Sequence, residues 1–521
     1  MQTFGNIRWT GILFQYACLA RERRIIVNGI NSIKDIVNYA AEKYGSNPYL
    51  RYKSGKEIVN KSFVEVKSAS DAFGAALNNA FDNVSHVAII GGTSYEWITA
   101  FLGTVTSGNV VVPLDKESES IDDMMQRADV NVLVYDNAYK DKALAAAEKC
   151  PEIKLTISMQ DEFDDFIKPF DGKAADVEID CDKLCAILFT SGTTGKSKGV
   201  MLTNRNIADN ATCMDSGEEP GNRVMSVLPI HHAFCFTCDV LLGMHDGMCL
   251  CINDSIMRVA RNLKLFKPHI ILAVPMIFAS MLKSVQNAAD QNPDIPKPDI
   301  AKAAFGGSLR TLYSGGAYLN PNIVTGFEEF GIQVLQGYGM SECSPRISGN
   351  TIFESKPDSL GKVVNNCEAR IMDGEIQVRG TSVMMGYYKD EERTREAFTE
   401  DGWLRTGDLG RLDEDNFLFM TGRKKNLIIL SNGENVSAEE LENKFDGVDE
   451  VAEIVVYGKD DVITAEIYPN PDMSESETQA AIEKKIEEIN AGIPMYKRIN
   501  QTIFRDEPFE KTSSHKIKRP N

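Results

Sequence analysis

Residues 190–199 read TSGTTGKSKG, a run of hydroxyls, glycines and two lysines immediately after the apolar stretch Leu184 to Phe189. Small residues let backbone N–H groups converge on an anion, the hydroxyls of Thr190, Ser191, Thr193 and Thr194 add donors, and Lys196 and Lys198 supply charge. Such a run is suited to phosphate. It is not the loop of P-loop NTPases, which needs G-x-x-x-x-G-K-[ST]: counted back from Gly195-Lys196-Ser197, the first glycine position falls on Thr190.

Five further stretches bear on chemistry. In QGYGMSEC, 336–343, the ring of Tyr338 precedes the carboxylate of Glu342 by four residues, and a carboxylate beside phosphate suits a hard cation that takes oxygen ligands. Asp408 in RTGDLG offers oxygens that can accept from two neighbouring hydroxyls at once, and Arg423 follows in TGRKK. Gly315 and Gly316 in YSGGA permit close backbone approach. The stretch HHAFCFTC, 231–238, holds two histidines and a Cys-x-x-Cys pair, but four ligands crowded into eight residues lack the separating loop of a structural zinc site. No metal is expected there.

Taken in order, with KTSSHKIKR at 511–519, these motifs resemble the adenylate-forming superfamily of acyl-CoA synthetases, adenylation domains and beetle luciferases. The resemblance runs from about residue 33 to the C-terminus. It implies that Thr190, Ser191, Gly192, Thr193, Thr194, Gly195 and Lys198 hold the β- and γ-phosphates of ATP, with Thr190 also catalytic. Gly315 and Gly316 would pass adenine and the acyl pocket, Tyr338 with Gly339 would stack on adenine, and Ser341 would touch the α-phosphate. Glu342 would ligate Mg²⁺, Asp408 and Arg423 would hold the ribose, and His232 with Phe234 would line the acyl channel near the reacting carboxylate. Lys425 takes the place of the family's hinge, and Gly433 lies in the loop 431–435 that helps build the thiol tunnel. Lys516 would reach into the active site and bridge the attacking carboxylate and the α-phosphate. The sequence departs from the family pattern at Ser341 (usually threonine), Asn426 (aspartate), Asn432 (glycine), Ala438 (proline) and His515 (glycine). None of these removes a charge needed for adenylation.

The activity so implied is a two-step ligation using ATP, Mg²⁺ and coenzyme A. A carboxylate attacks the α-phosphate to give acyl-AMP and pyrophosphate, and a thiol then takes the acyl group and releases AMP. The HHAFCF stretch lacks the aspartate with which amino-acid-activating members bind an ammonium, which favours an acid without an α-amine, expected to be a fatty acid. No insertion stands between Tyr338 and Asp408, which favours coenzyme A over an acyl carrier protein as acceptor. A carrier-loading acyl-AMP ligase and a non-catalytic nucleotide-binding regulator are the alternatives; Lys516, Glu342 and Asp408 speak against the second.

These residues need a scaffold. Strand-like runs at 86–90, 109–115, 130–136, 269–275, 310–316 and 332–339 alternate with helical spacing at 33–44, 68–80 and 97–106, the pattern of parallel α/β sheets. After about residue 360 come Gly-punctuated β segments at 368–380 and 416–423, then helix 438–444, strands 451–458 and 461–469, and helix 475–490. The stretch 291–299 reads as a loop. The expected organisation is α/β: an extension 1–30, a large ATP- and acyl-binding domain 31–424 of mixed sheets with a β-rich subdomain, and a small mobile α+β lid 425–521. The apolar patch 12–20, flanked by Arg8, Arg21, Arg23 and Arg24, is too short to span a bilayer, and the basic cluster after it argues against the small-residue cleavage site of a signal peptide, so a short helix or a poorly ordered extension is expected. With 56 basic against 75 acidic residues the net charge is −19, which repels nucleic acid. Eleven cysteines without regular spacing point to free thiols in a reducing cytoplasm.

Overall fold

Runs such as VVVPL at Val110–Leu114, buried at every position, can only be strands covered on both faces, and helices cover them. The computed structural model describes residues 29–190, 197–356, 358–430, 434–459, 462–511, 517 and 519. By packing the chain forms two compact units: one runs to Ala369 and includes Val378–Leu404, and the other comprises Arg370–Gln377 and everything from Arg405.

The first unit holds two large sheets. In the seven-stranded sheet the order is Gly386–Tyr387, Lys198–Thr203, Leu184–Thr190, Val110–Leu114, His86–Ile90, Val132–Tyr135, Leu155–Ser158. Its last five strands are parallel, while Lys198–Thr203 runs antiparallel to both of its neighbours. The nine-stranded sheet runs from Lys362–Val363 through Arg346–Gly349, Gln333–Gly339, Thr311–Ser314, Ile270–Ala273, Arg223–Ser226, Cys249–Ile252 and Pro48–Ser54 to Glu57–Ser62. Its six middle strands, from Gln333–Gly339 to Pro48–Ser54, are parallel. Loops at the C-terminal ends of parallel strands are where α/β folds bind ligands.

Two elements differ from the sequence expectation. The helix expected from residue 68 begins at Phe63, because Ser62 and Glu65 close a capping box. The loop expected over 291–299 is partly helical. Gln291 ends one helix, and Lys297–Phe305 starts another with Pro298 in its first turn, where a missing N–H costs nothing.

The second unit contains the antiparallel strands Leu404–Leu412 and Leu418–Arg423, the ribbon of Leu427–Ile429 and Asn435–Ser437, and a three-stranded sheet. That sheet pairs Val451–Lys459 with Val462–Pro469, which runs parallel to Gln501–Phe504. Helix Glu475–Ala491 buries Ile482, Ile486 and Ile489 at helical spacing, and they join Val436, Leu441, Phe445, Val456 and Ile467 in one core. Among the described residues no helix is long and apolar enough to cross a membrane.

Candidate active site

The phosphate-loop candidate joins two paired strands. Thr190 ends its strand opposite Lys198, and Phe189 lies opposite Gly199, so both ends of the loop are fixed to each other by a ladder. A strand, not a helix, follows the loop. It therefore has no helix N-terminus to offer an anion, and whatever charge it presents must come from its own N–H groups, hydroxyls and lysines. Arg127, at the end of helix Ile121–Arg127, clamps the second stem. Its guanidinium donates to the carbonyl of Ser197 at 2.8 Å and to Ser197 Oγ at 2.9 Å, while lying 4.9 Å from the ring centroid of Phe189 on the first stem. Sequence reasoning missed Arg127, because nothing in an amphipathic helix seventy residues upstream marks it.

Glu342 lies in the short turn Ser341–Cys343 that follows strand Gln333–Gly339. Its Oε1 accepts from the hydroxyl of Tyr387 at 2.9 Å, and its carbonyl accepts from the N–H of Met384 at 2.9 Å. The ring of Tyr387 in turn carries the Lys198 ammonium 4.8 Å from its centroid. The structure thus brings Thr190, Lys198 and Glu342 into one neighbourhood through a residue that carried no signal in the sequence. Tyr338 is buried on the same strand as Gly339. A Cβ at Gly339 would stand 2.0 Å from the carbonyl oxygen of Pro345, so that position admits only glycine. Gly315 and Gly316 follow the adjacent parallel strand, and a Cβ at Gly315 would press on the ring of Phe234 at 3.0 Å.

The two histidines sit beyond strand Arg223–Ser226, one strand past Ile270–Ala273. The rings of His231 and His232 lie 4.1 Å apart, and His231 Nε2 is 3.9 Å from Asp115 Oδ2, at the C-terminal end of strand Val110–Leu114 in the other sheet. Burial, then the neighbouring His232, pushes His231 down to about 3, against the opposing pull of Asp115. His231 is neutral at physiological pH. The π-helix Phe234–Leu241 follows and encloses Asp239, whose carboxyl burial pushes up to about 8. Cys235 and Cys238 lie buried as free thiols, and among the described residues no three metal-binding side chains converge.

In the second unit, Asp408 and Arg423 stand directly opposite each other on paired strands. Arg423 Nε donates to Asp408 Oδ1 at 2.9 Å, with Asp408 almost fully buried and Arg423 partly exposed. Lys425 occupies the single turn Lys424–Asn426 that links Leu418–Arg423 to Leu427–Ile429. Burial, then Arg423 and Arg519, lowers its pKa. Lys511 pairs with Glu453, and its backbone bridges to Ile517. Ser191, Gly192, Thr193, Thr194, Gly195, Lys196, Gly433, His515 and Lys516 lie outside the described residues.

The donor set around Glu342 suits Mg²⁺. A single carboxylate oxygen site cannot hold a cation as a protein cage, but Mg²⁺ keeps several waters and binds through one or two carboxylates plus substrate phosphates.

A family model described as AMP-binding enzyme matches residues 37–388, and one described as AMP-binding enzyme C-terminal domain matches 425–521. Long-chain-fatty-acid–CoA ligase FadD15 of Mycobacterium bovis (strain ATCC BAA-935 / AF2122/97) is 27% identical over 429 residues, covering 71% of this chain and 70% of that protein. Long-chain-fatty-acid–CoA ligase 6 of Mus musculus is 27% identical over 540 residues, covering 89% of this chain and 77% of its own. The crystal structure of the anthranilate CoA ligase AuaEII in complex with anthranoyl-AMP shares the fold, with a TM-score of 0.81 at 21% identity over 94% of this chain and 96% of that one.

Proposed function

The chain belongs to the AMP-binding enzyme family, and from that premise we propose that it activates a fatty acid with ATP and passes the acyl group to coenzyme A. The observation that carries this reading is the convergence of the Thr190–Lys198 hairpin and the Glu342 carboxylate, bridged by Tyr387, beside the C-terminal ends of parallel strands. Such a place suits a reaction that joins two anions, where catalysis is mostly alignment and charge neutralisation.

In the first step a carboxylate oxygen of the acid bonds to the α-phosphorus and the bond to the bridging oxygen breaks, so pyrophosphate leaves with the electron pair. Thr190, Ser191, Gly192, Thr193, Thr194, Gly195 and Lys198 hold the departing phosphates, and Ser341 steadies the α-phosphate. Mg²⁺, when bound at Glu342, supplies neutralising charge. Tyr338 and Gly339 receive the adenine, with Gly315 and Gly316 alongside, and Asp408 and Arg423 receive the ribose. His232 lies along the path of the acid. Lys516 bridges the attacking carboxylate and the α-phosphate. In the second step the thiolate sulfur of coenzyme A attacks the acyl carbon and AMP departs. The small domain, 425–521, turns about Lys425 between the steps, withdrawing Lys516 and presenting Gly433 to the thiol. The free cysteines fit a cytoplasmic setting.

The fatty acid is favoured because the two relatives named above are long-chain-fatty-acid–CoA ligases. An aromatic acid is the competing substrate, since the anthranilate ligase shares the fold. Pyrophosphate exchange and AMP release, measured with ATP, coenzyme A and a panel of fatty and aromatic acids, test the reading. Exchange is expected with fatty acids and AMP release only when coenzyme A is added. Lys516→Ala should lose roughly 10²–10³ in exchange rate, by analogy with the loss of one oxyanion donor, and keep thioester formation from supplied acyl-AMP. Absence of exchange with every acid would overturn the proposal.

A further inference from the structure

We propose that Tyr387 is a positioning residue for nucleotide-bound Mg²⁺: its hydroxyl aims the Glu342 carboxylate, and its ring seats the Lys198 ammonium. This rests on the reading that Glu342 ligates the cation accompanying ATP.

Two contacts place Tyr387 in that role. Its hydroxyl donates to Glu342 Oε1 at 2.9 Å, which fixes one carboxylate oxygen with a neutral donor and leaves the negative charge of the group uncancelled. Its ring face takes Lys198 at 4.8 Å, a cation–π contact that holds the ammonium without pairing it to a carboxylate. One side chain therefore orients both an anion and a cation while neutralising neither.

The backbone of Tyr387 is itself held from several sides. Gly386 and Tyr387 pair with Met201 and Val200 on the strand that begins at Lys198. The Tyr387 N–H donates to Thr394 Oγ1 at 2.8 Å. Its neighbours are tied as well: Tyr388 N–H reaches the carbonyl of Gly199 at 2.7 Å, and the Tyr388 hydroxyl and Lys389 ammonium both reach Asp129. Met384 N–H donates to the carbonyl of Glu342, so the segment 384–387 grips Glu342 at backbone and side chain alike. Such a degree of fixation is what a group needs if it is to hold another within the tolerance that catalysis demands.

The test is the Mg²⁺ dependence of ATP binding, measured by calorimetry on the acid-free protein, with steady-state exchange kinetics alongside. Tyr387→Phe keeps the ring and removes only the hydroxyl. It should raise the Mg²⁺ concentration for half-maximal ATP binding about tenfold, the equivalent of ~1.4 kcal/mol and within the range of a hydrogen bond to a charged group. At saturating Mg²⁺ its ATP affinity should stay within about twofold of wild type. In exchange, the KM for Mg²⁺ should rise while kcat at saturation changes little. Tyr387→Leu, which also takes the ring from Lys198, should weaken ATP binding even at saturating Mg²⁺. Glu342→Asp draws the carboxylate away from an intact Tyr387 and should reproduce the midpoint shift, which keeps the test open if Tyr387→Phe folds poorly. In a Glu342→Gln background Tyr387→Phe should add nothing. An unchanged Mg²⁺ midpoint in both Tyr387→Phe and Glu342→Asp, or a Tyr387→Phe effect that persists without the Glu342 charge, would overturn the proposal alone. Wild-type protein that binds ATP with no regard to Mg²⁺ would overturn the nucleotide reading of Glu342 with it.

Discussion

Glu342 and Asp408 are both carboxylates in candidate nucleotide positions, and their surroundings differ in kind. Glu342 is half-buried and held by a neutral tyrosine hydroxyl. Asp408 is buried and held by a guanidinium, through Arg423 Nε at 2.9 Å. A neutral donor fixes the direction of a carboxylate without cancelling its charge, so Glu342 remains a strong partner for a cation. A guanidinium cancels most of the charge but leaves oxygen lone pairs, so Asp408 remains a good acceptor for neutral hydroxyls and a poor one for a metal ion. On the proposed reading the same functional group is thus prepared for a divalent ion in one place and for a sugar in the other.

Removing the charge from Glu342 should break this contrast most severely. Glu342→Gln keeps the shape and the bond from Tyr387, so any loss is electrostatic. Pyrophosphate exchange is expected to fall roughly 10²-fold or more, comparable to deleting a principal transition-state contact. Raising Mg²⁺ should recover little of it. A variant within threefold of wild type would remove Glu342 from the site.

Asp408→Asn should act on nucleotide binding. The loss of one charge-assisted acceptor corresponds to about 1–3 kcal/mol, or a KM for ATP raised ~5- to 150-fold, with kcat less affected. The contrast sharpens with 2′-deoxy-ATP. If Asp408 accepts from the ribose, the wild-type enzyme should discriminate against the deoxy nucleotide and Asp408→Asn should discriminate much less. Equal discrimination in both would separate Asp408 from the sugar.

A smaller effect is expected at Arg127, which touches no predicted ligand; it holds the stem of the loop and pairs with Asp123 on its own helix. Arg127→Gln loses two hydrogen bonds to Ser197, the contact with Phe189 and the ion pair with Asp123. The KM for ATP should rise about three- to tenfold at nearly constant kcat, since a looser loop must be ordered when nucleotide binds. No change in KM would mean that the ladder between Thr190 and Lys198 suffices by itself.

These three residues also mark what could be read from the sequence. Glu342 and Asp408 stand in local patterns, Y-x-x-x-E and T-G-D, where the chemistry is contiguous along the chain. The strand that precedes Glu342 was legible because parallel strands are short, apolar and separated by helical periods, whereas the antiparallel, partly exposed strand Leu404–Leu412 that carries Asp408 was not foreseen. Arg127 and Tyr387 were not legible, because each acts on a residue 70 and 45 positions away in sequence, through contacts that exist only once strands pair. Asp115 beside His231 is of the same kind. The start of helix Phe63–Ala80 was missed for a local reason: its apolar period is clearest from residue 68, whereas its boundary is set by the Ser62–Glu65 capping box.

The mildest prediction concerns a third carboxylate, Asp239, which has neither a charged partner nor a ligand to receive. It lies fully buried in the π-helix Phe234–Leu241, with Cys235 Sγ 3.6 Å from its Oδ2. Burial pushes its carboxyl up to about 8, and neutral hydrogen bonds from Ser226 and Cys235 only partly oppose this. The sign follows from linkage. Between the ordinary carboxylate value of 3.8 and the native value near 8 the folded chain keeps a proton that the unfolded chain has released. Stability from this group is therefore complete at low pH, declines as pH rises, and levels off above about 8. One proton across the interval from pH 6 to 8, with the native midpoint near 8, amounts to about 2 kcal/mol. Asp239→Asn cannot titrate, so its stability should decline less than that of wild type over the same interval, whatever its absolute value. Urea unfolding at pH 6, 7 and 8 measures both slopes. Parallel slopes would show that Asp239 does not titrate in this range, and the contrast would then reduce to the two carboxylates that have partners.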